Sequence, residues 1–140
     1  MIKTQFEEDF VICYFDDSIP VLSHRWKRFI DAEHMQAALL RMIALYSELK
    51  IEYPNISWLG DTRTMGVLSL EYQKWLEDTW PGIMESAGIK KHALIIPENL
   101  FAKLAMDKFV KNIKASHHNI IIQYFKDEES ANEWLKNDVI

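Results

Sequence analysis

Glycine and proline are scarce in this chain, four of each in 140 residues. That excludes a collagen-like repeat, a long flexible linker or a low-complexity tract. There is one cysteine, Cys13, inside the apolar run from Phe10 to Phe15. A single thiol closes no intramolecular disulfide, and in this setting it reads as a small buried hydrophobe, which suits a reducing cytoplasm. No apolar run approaches the roughly eighteen residues of a membrane-spanning helix, and no basic stretch followed by an apolar core opens the chain. A cytoplasmic protein, neither inserted in a membrane nor secreted, is therefore expected. Basic residues are outnumbered, 16 against 21 acidic ones, for a formal charge of -5. A sequence-independent nucleic-acid binder concentrates Lys and Arg on one face to displace counterions, so that class is excluded as well.

Catalytic signatures are also missing. The chain has no Gly-x-Ser-x-Gly elbow, no Walker loop and no Gly-x-Gly-x-x-Gly, so neither a serine nucleophile nor a nucleotide cofactor has a foothold. His117 and His118 are adjacent and point apart in a strand or loop, while His24, His34 and His92 belong to separate elements. None of the five has a Cys, Asp or Glu at a metal-ligand spacing, so no metal or cofactor is expected. Lys103, Lys108, Lys111 and Lys114 are scattered around one helix that also carries Asp107, the pattern of a solvated face.

What is present is a globular composition, 49% apolar and 26% charged. A chain of this length buries about two thirds of its unfolded surface, which is enough for one self-sufficient core spanning residues 1–140. Phe10 to Phe15, a turn at Asp16 to Pro20 and the stretch Val21 to Phe29 read as a β-hairpin. Ala32, Met35, Leu39, Met42, Tyr46 and Leu49 recur at helical spacing behind Asp31, a natural N-cap. Ile56 to Gly60 is a short apolar strand of the kind buried on both faces. Ser69 opens a further helix, with Trp75, Leu76 and Trp80 on its apolar side, and Pro81 breaks or kinks it before a short stretch ending near Gly88. His92 to Ile96 is the next strand, followed by a helix capped by Asn99 with Leu100, Phe101, Leu104, Phe109 and Ile113 as its anchors. Asn119 to Phe125 is the last strand, and Asp127 caps a final helix carrying Ala131, Trp134 and Leu135. Helix and strand alternating after a hairpin imply right-handed crossovers and a mixed, partly parallel five-stranded sheet with about four helices.

In such a sheet ligands gather beyond the carboxyl ends of the parallel strands. Asp61, Thr62, Arg63 and Thr64 follow one strand end, Pro97, Glu98 and Asn99 a second, and Lys126 and Asp127 a third, so one rim collects them. An Asp and an Arg two apart can pair with each other to fix loop backbone, or the Arg can present its planar fork to a carboxylate or phosphate. Trp26, Met65 and Trp80 supply the apolar lining such a ligand site would need.

The segments Trp58–Ser69 with its Asp-x-Arg, Gln73 to Trp80, Ala87 to Leu104 and Ile122 to Leu135, taken in order, resemble the STAS-like, SpoIIAA-like group of small bacterial proteins, related to sulfate transporter and anti-sigma-factor antagonist domains. The resemblance covers nearly the whole chain and implies the same hairpin-led mixed sheet. It also implies a regulatory domain with no enzymatic activity. In antagonists of that broader group a Ser or Thr at the start of the helix after the third strand is phosphorylated, and Ser69 stands at that place. The residues around it, Gly66 to Leu70, depart from the Asp-Ser-Ser-Gly of the antagonists, and a plain N-cap accounts for Ser69 without phosphorylation. The expected function is a protein-interaction domain that meets a partner, or a second copy through its exposed hairpin edge, near Asp61, Arg63 and Ser69. The alternative is a pocket at the same rim for an amphipathic anion or lipid-like molecule.

Overall fold

The computed structural model describes residues 1–137. Positions 138–140, the end of the expected single unit, lie outside the described residues. Six strands form one sheet in chain order: β1 (Ile2–Glu7), β2 (Val11–Asp16), β3 (Val21–Trp26), β4 (Ser57–Asp61), β5 (Lys91–Ile95) and β6 (Ile121–Phe125). The pairs β1–β2 and β2–β3 are antiparallel, and β3 to β6 are parallel. The mixed α/β architecture expected from the sequence is thus present, with one strand more. That strand is β1, whose pattern Lys3, Thr4, Gln5, Glu7 hides its character because it lies at the sheet edge and buries only Phe6. An edge strand with one apolar anchor carries almost no periodic signal.

Among the described residues the crossovers carry α1 (Ala32–Glu52), α2 (Leu70–Asp78), α3 (Trp80–Ser86) and α4 (Leu100–Ser116), and α5 (Glu128–Lys136) follows the last strand. The caps act as the sequence suggests, because each offers a side-chain oxygen to one of the unpaired N–H groups of a first turn. Ser69 Oγ accepts from Tyr72 N at 3.1 Å, Asn99 Oδ1 from Ala102 N at 3.0 Å and Asp127 Oδ1 from Ser130 N at 2.8 Å. Thr79 separates α2 from α3, and Pro81 then falls in the first turn of α3, where its missing N–H costs nothing.

Because consecutive parallel strands are joined in order by right-handed crossovers, the connecting helices share one face of the sheet. Met35, Met42 and Tyr46 of α1, Leu76 of α2, Met84 of α3 and Phe109 of α4 form one core with Trp58 and Leu94 of the sheet. The final helix α5 lies on the opposite face, where Ala131 and Leu135 pack on Val21, Leu59, Ala93 and Ile95. This explains why β4 and β5 are buried at every position.

The α4 anchors need correction. Phe109 and Ile113 are buried, whereas Leu100, Phe101 and Leu104 are exposed, and the inward face is completed by Ala102, Met106 and Val110. Two apolar stripes at helical spacing coexist on this helix, and periodicity alone does not say which one faces the sheet.

Candidate functional site

The carboxyl ends of the parallel strands β3 to β6 lie at one rim, with Asp61 to Thr64 at the end of β4, Pro97 to Asn99 after β5, and Lys126 and Asp127 after β6. Asp61, the last residue of β4, is wholly buried on the α5 side, and it receives Arg63 Nη2 at 2.7 Å on one oxygen and Arg63 Nε at 3.0 Å on the other. The Arg63 backbone N–H also points to Asp61, at 3.2 Å. The planar guanidinium thus meets the carboxylate fork to fork, and that hydrogen bonding holds the Arg63 pKa above its ordinary value. Glu128 at the start of α5 adds its negative charge from nearby and accepts the Tyr14 hydroxyl at 2.9 Å.

The neighbouring threonines are equally engaged. Thr62 Oγ1 donates to Ile95 O at 2.5 Å, tying β4 to β5, and Thr64 Oγ1 donates to Trp26 O at 2.6 Å, tying the loop to β3. Glu98 lends its backbone N–H to Arg63 O at 3.1 Å while its side chain stays exposed. Gly66 follows at a φ of +73°, a left-handed conformation that strains any residue with a Cβ, and a Cβ there would also meet Phe29 Cβ at 3.2 Å. Hydrogen-bonding capacity is concentrated between Asp61 and Ser69 because three strands end there and their outward backbone groups need partners.

This arrangement predicts an asymmetry. The Arg63 side chain is 35% exposed and can turn to water, so Asp61→Ala is expected to cost about 1 kcal/mol. Arg63→Ala leaves a buried carboxylate with only a backbone donor and is expected to cost about 2–3 kcal/mol. Urea unfolding of the two variants checks the order, and equal losses would contradict it.

Behind the rim, Trp26, Met65 and Trp80 are packed inside the protein. Together with Thr62, His24 and His92 they line a cavity of about 30 Å³, room for about one water molecule, and Arg63 is not part of its wall. Ser69 is committed as the α2 cap.

His24 and His92 were legible only as residues of separate strands. The register places His24 opposite Gly60 and His92 opposite Trp58, so the two histidines occupy one sheet face two strands apart. Gly60 makes this possible, since a Cβ there would approach the His24 ring to 3.3 Å. Aromatic rings surround His24, with Trp26 at 5.5 Å and Trp58 at 5.6 Å between centroids, and His92 meets Phe109 edge-on at 6.5 Å. Burial, reinforced by the charge His92 would carry, pushes the His24 pKa down to about 3, and burial takes that of His92 to about 4. Both are neutral at physiological pH. Among the described residues no group of three or more His, Cys, Asp or Glu side chains is placed to hold a metal ion.

A hairpin-led sheet in sequential order, with crossover helices on one face and the C-terminal helix on the other, defines the architecture as STAS-like. The chain adopts the SpoIIAA-like form of that fold. It is similar to the crystal structure of an uncharacterized protein of the DUF3478 family with a SpoIIAA-like fold from Shewanella loihica PV-4, at 21% identity and a TM-score of 0.51, over 96% of this chain and 92% of that one. No family model matches the sequence. No curated protein matches it either. No described helix is long and apolar enough to cross a membrane.

Proposed function

We propose that this chain is a non-enzymatic regulatory module of the cytoplasm that binds a partner protein at the carboxyl-end rim of its sheet. The observation that carries the reading is the apolar surface borne by the helix starts at that rim. Leu70 at the first position of α2 is 83% exposed and Phe101 in the first turn of α4 is 69% exposed, with Val67, Leu100 and Leu104 also open to solvent. Large apolar side chains grouped beside a rigid polar loop are the composition of an interface centre, and aromatic anchors dominate binding energy in such surfaces. A partner with an apolar face and an acidic edge suits the group, because Arg63 stands at the same rim with its orientation fixed by Asp61.

A ligand-binding reading is less well supported. The space beside Trp26, Met65 and Trp80 is far below the volume of a small-molecule site, and Arg63 does not reach into it. Pairing of two copies through the sheet edge is also less favoured: β1 carries Lys3 and a register shift between Thr4 and Phe6, both of which discourage edge pairing.

Phe101→Asp is expected to leave the melting temperature within a few degrees of the parent, since the side chain is exposed, and to weaken partner binding at least about tenfold. Cross-linking in the native cell, followed by titration of the identified partner with both purified forms, makes the test. Equal affinity of the two forms, or a retained small molecule in place of a protein, would reject the reading.

A further inference from the structure

At the opposite end of the sheet, where the parallel strands begin, a separate cavity of about 260 Å³ opens between the end of α1, the start of β5 and the end of α5. Lys50, Lys90 and Lys91 converge on it, Asn55 and Ser57 add amide and hydroxyl groups, and Ile19 and Leu135 give it an apolar wall. In a chain with a net charge of -5, Lys50 and Lys90 at one cavity are a local pair of like charges. Lys91 is committed to the end of α5, donating to Trp134 O at 3.1 Å and to Asn137 O, with its ammonium 4.9 Å from the Trp134 ring centroid. Lys50 donates to Gly88 O at 3.1 Å. The Gly88 carbonyl is a neutral acceptor. Among the described residues, no carboxylate pairs with Lys50 or Lys90.

The Lys50 and Lys90 ammonium groups, brought to one cavity with no carboxylate partner of their own among the described residues, repel each other. The Lys50 pKa falls below its ordinary value, through burial first and through the charge of Lys90 second. An anion between them would remove that repulsion and gain two charge-assisted hydrogen bonds. The cavity is too small for a macromolecular surface, and its mixed wall suits a compact molecule with one charged end and a few carbons.

We propose that this cavity is a binding site for a small oxyanion, a phosphoryl or carboxylate group of a low-molecular-weight compound, held by Lys50 and Lys90 with Asn55 and Ser57 as neutral donors. The site is independent of the rim and of the partner reading above. Inorganic phosphate and acetate, each added to the full chain against chloride at matched ionic strength, are the probes, and amide NMR shifts are the readout. The expected result is saturable shifts confined to Lys50, Asn55, Ser57, Lys90 and Lys91 with one of the two anions, which identifies the preferred headgroup. Lys90→Gln, a change at an exposed side chain, is expected to weaken that binding about tenfold with no loss of melting temperature, while Lys90→Arg retains it. Should Lys50→Gln prove less stable because Gly88 O keeps only the Tyr46 hydroxyl as donor, Lys90→Gln still decides the matter. Shifts that do not saturate with either anion, or binding unchanged in Lys90→Gln, would overturn the proposal.

Discussion

Acidification from pH 7 to about 4.5 is expected to remove on the order of 5 kcal/mol of stability, most of it through two side chains. His24 and His92 bind protons in the folded protein only near pH 3 and pH 4, whereas in the unfolded chain they do so near 6.5. Their folded-state pKa values are depressed, so the unfolded state takes up protons first. Stability is complete above about pH 6.5 and falls as the pH drops from there toward 4, with a slope of roughly 1.4 kcal/mol per pH unit for each histidine. The charge of Asp61 opposes the shift of His24, and desolvation outweighs it. A domain of this size is stable by roughly 5–15 kcal/mol, so a loss of this order brings acid unfolding close to pH 4. Urea titrations at several pH values measure the slope, and His24→Gln/His92→Gln should flatten it between pH 6.5 and 4.5. Native-state NMR titration of either ring near pH 6.5 would show that the histidines are hydrated and that the expectation is wrong.

The same two residues mark where a single sequence stops being informative. The strands that hold them were readable from their apolar runs, and the caps Asp31, Ser69, Asn99 and Asp127 were readable because one side chain and the N–H three residues on form a local unit. The rim was readable too, since it follows from strand ends and parallel order. Register was not. Whether His24 and His92 meet depends on Gly60 and Trp58 between them, and a shift of one residue in β4 would send one side chain to the other face. Strand β1 was missed because it contributes one buried side chain, and the outward stripe of α4 because Leu100, Phe101 and Leu104 have the spacing of a core face. In both cases the missing information is tertiary: what covers the segment, rather than what the segment prefers. The lysine cavity was invisible for a related reason. Lys50, Lys90 and Lys91 come from the end of one helix and the start of a strand 40 residues on, and only the sheet brings them together.

Trp58→Ala is expected to be the most damaging single substitution, at about 3–5 kcal/mol and a fall in Tm of roughly 10 °C or more. Trp58 is one of the largest fully buried side chains and sits where three elements meet: Tyr46 of α1 at 5.8 Å, Trp80 of α3 at 5.8 Å and His24 of β3 at 5.6 Å between ring centroids. Removing it deletes ring contacts to both α1 and α3 and enlarges the adjacent cavity from water size to the size of an indole ring. Collapse into that space is restricted, because the space over Gly60 is already closely bounded: a Cβ there would meet Leu94 at 3.2 Å and the His24 ring at 3.3 Å. Two consequences separate this mechanism from generic destabilisation. Added indole should bind the variant and recover part of the lost Tm, as a void of fixed shape allows. Water entering the void should also raise the His24 pKa toward its ordinary value, so the acid slope of the variant should shrink to that of His92 alone. A variant that loses stability yet gains nothing from indole and keeps the full slope would mean that the core closes over the deletion. The rings around His24 would then be a soft packing and not the fixed frame on which the rim above them rests.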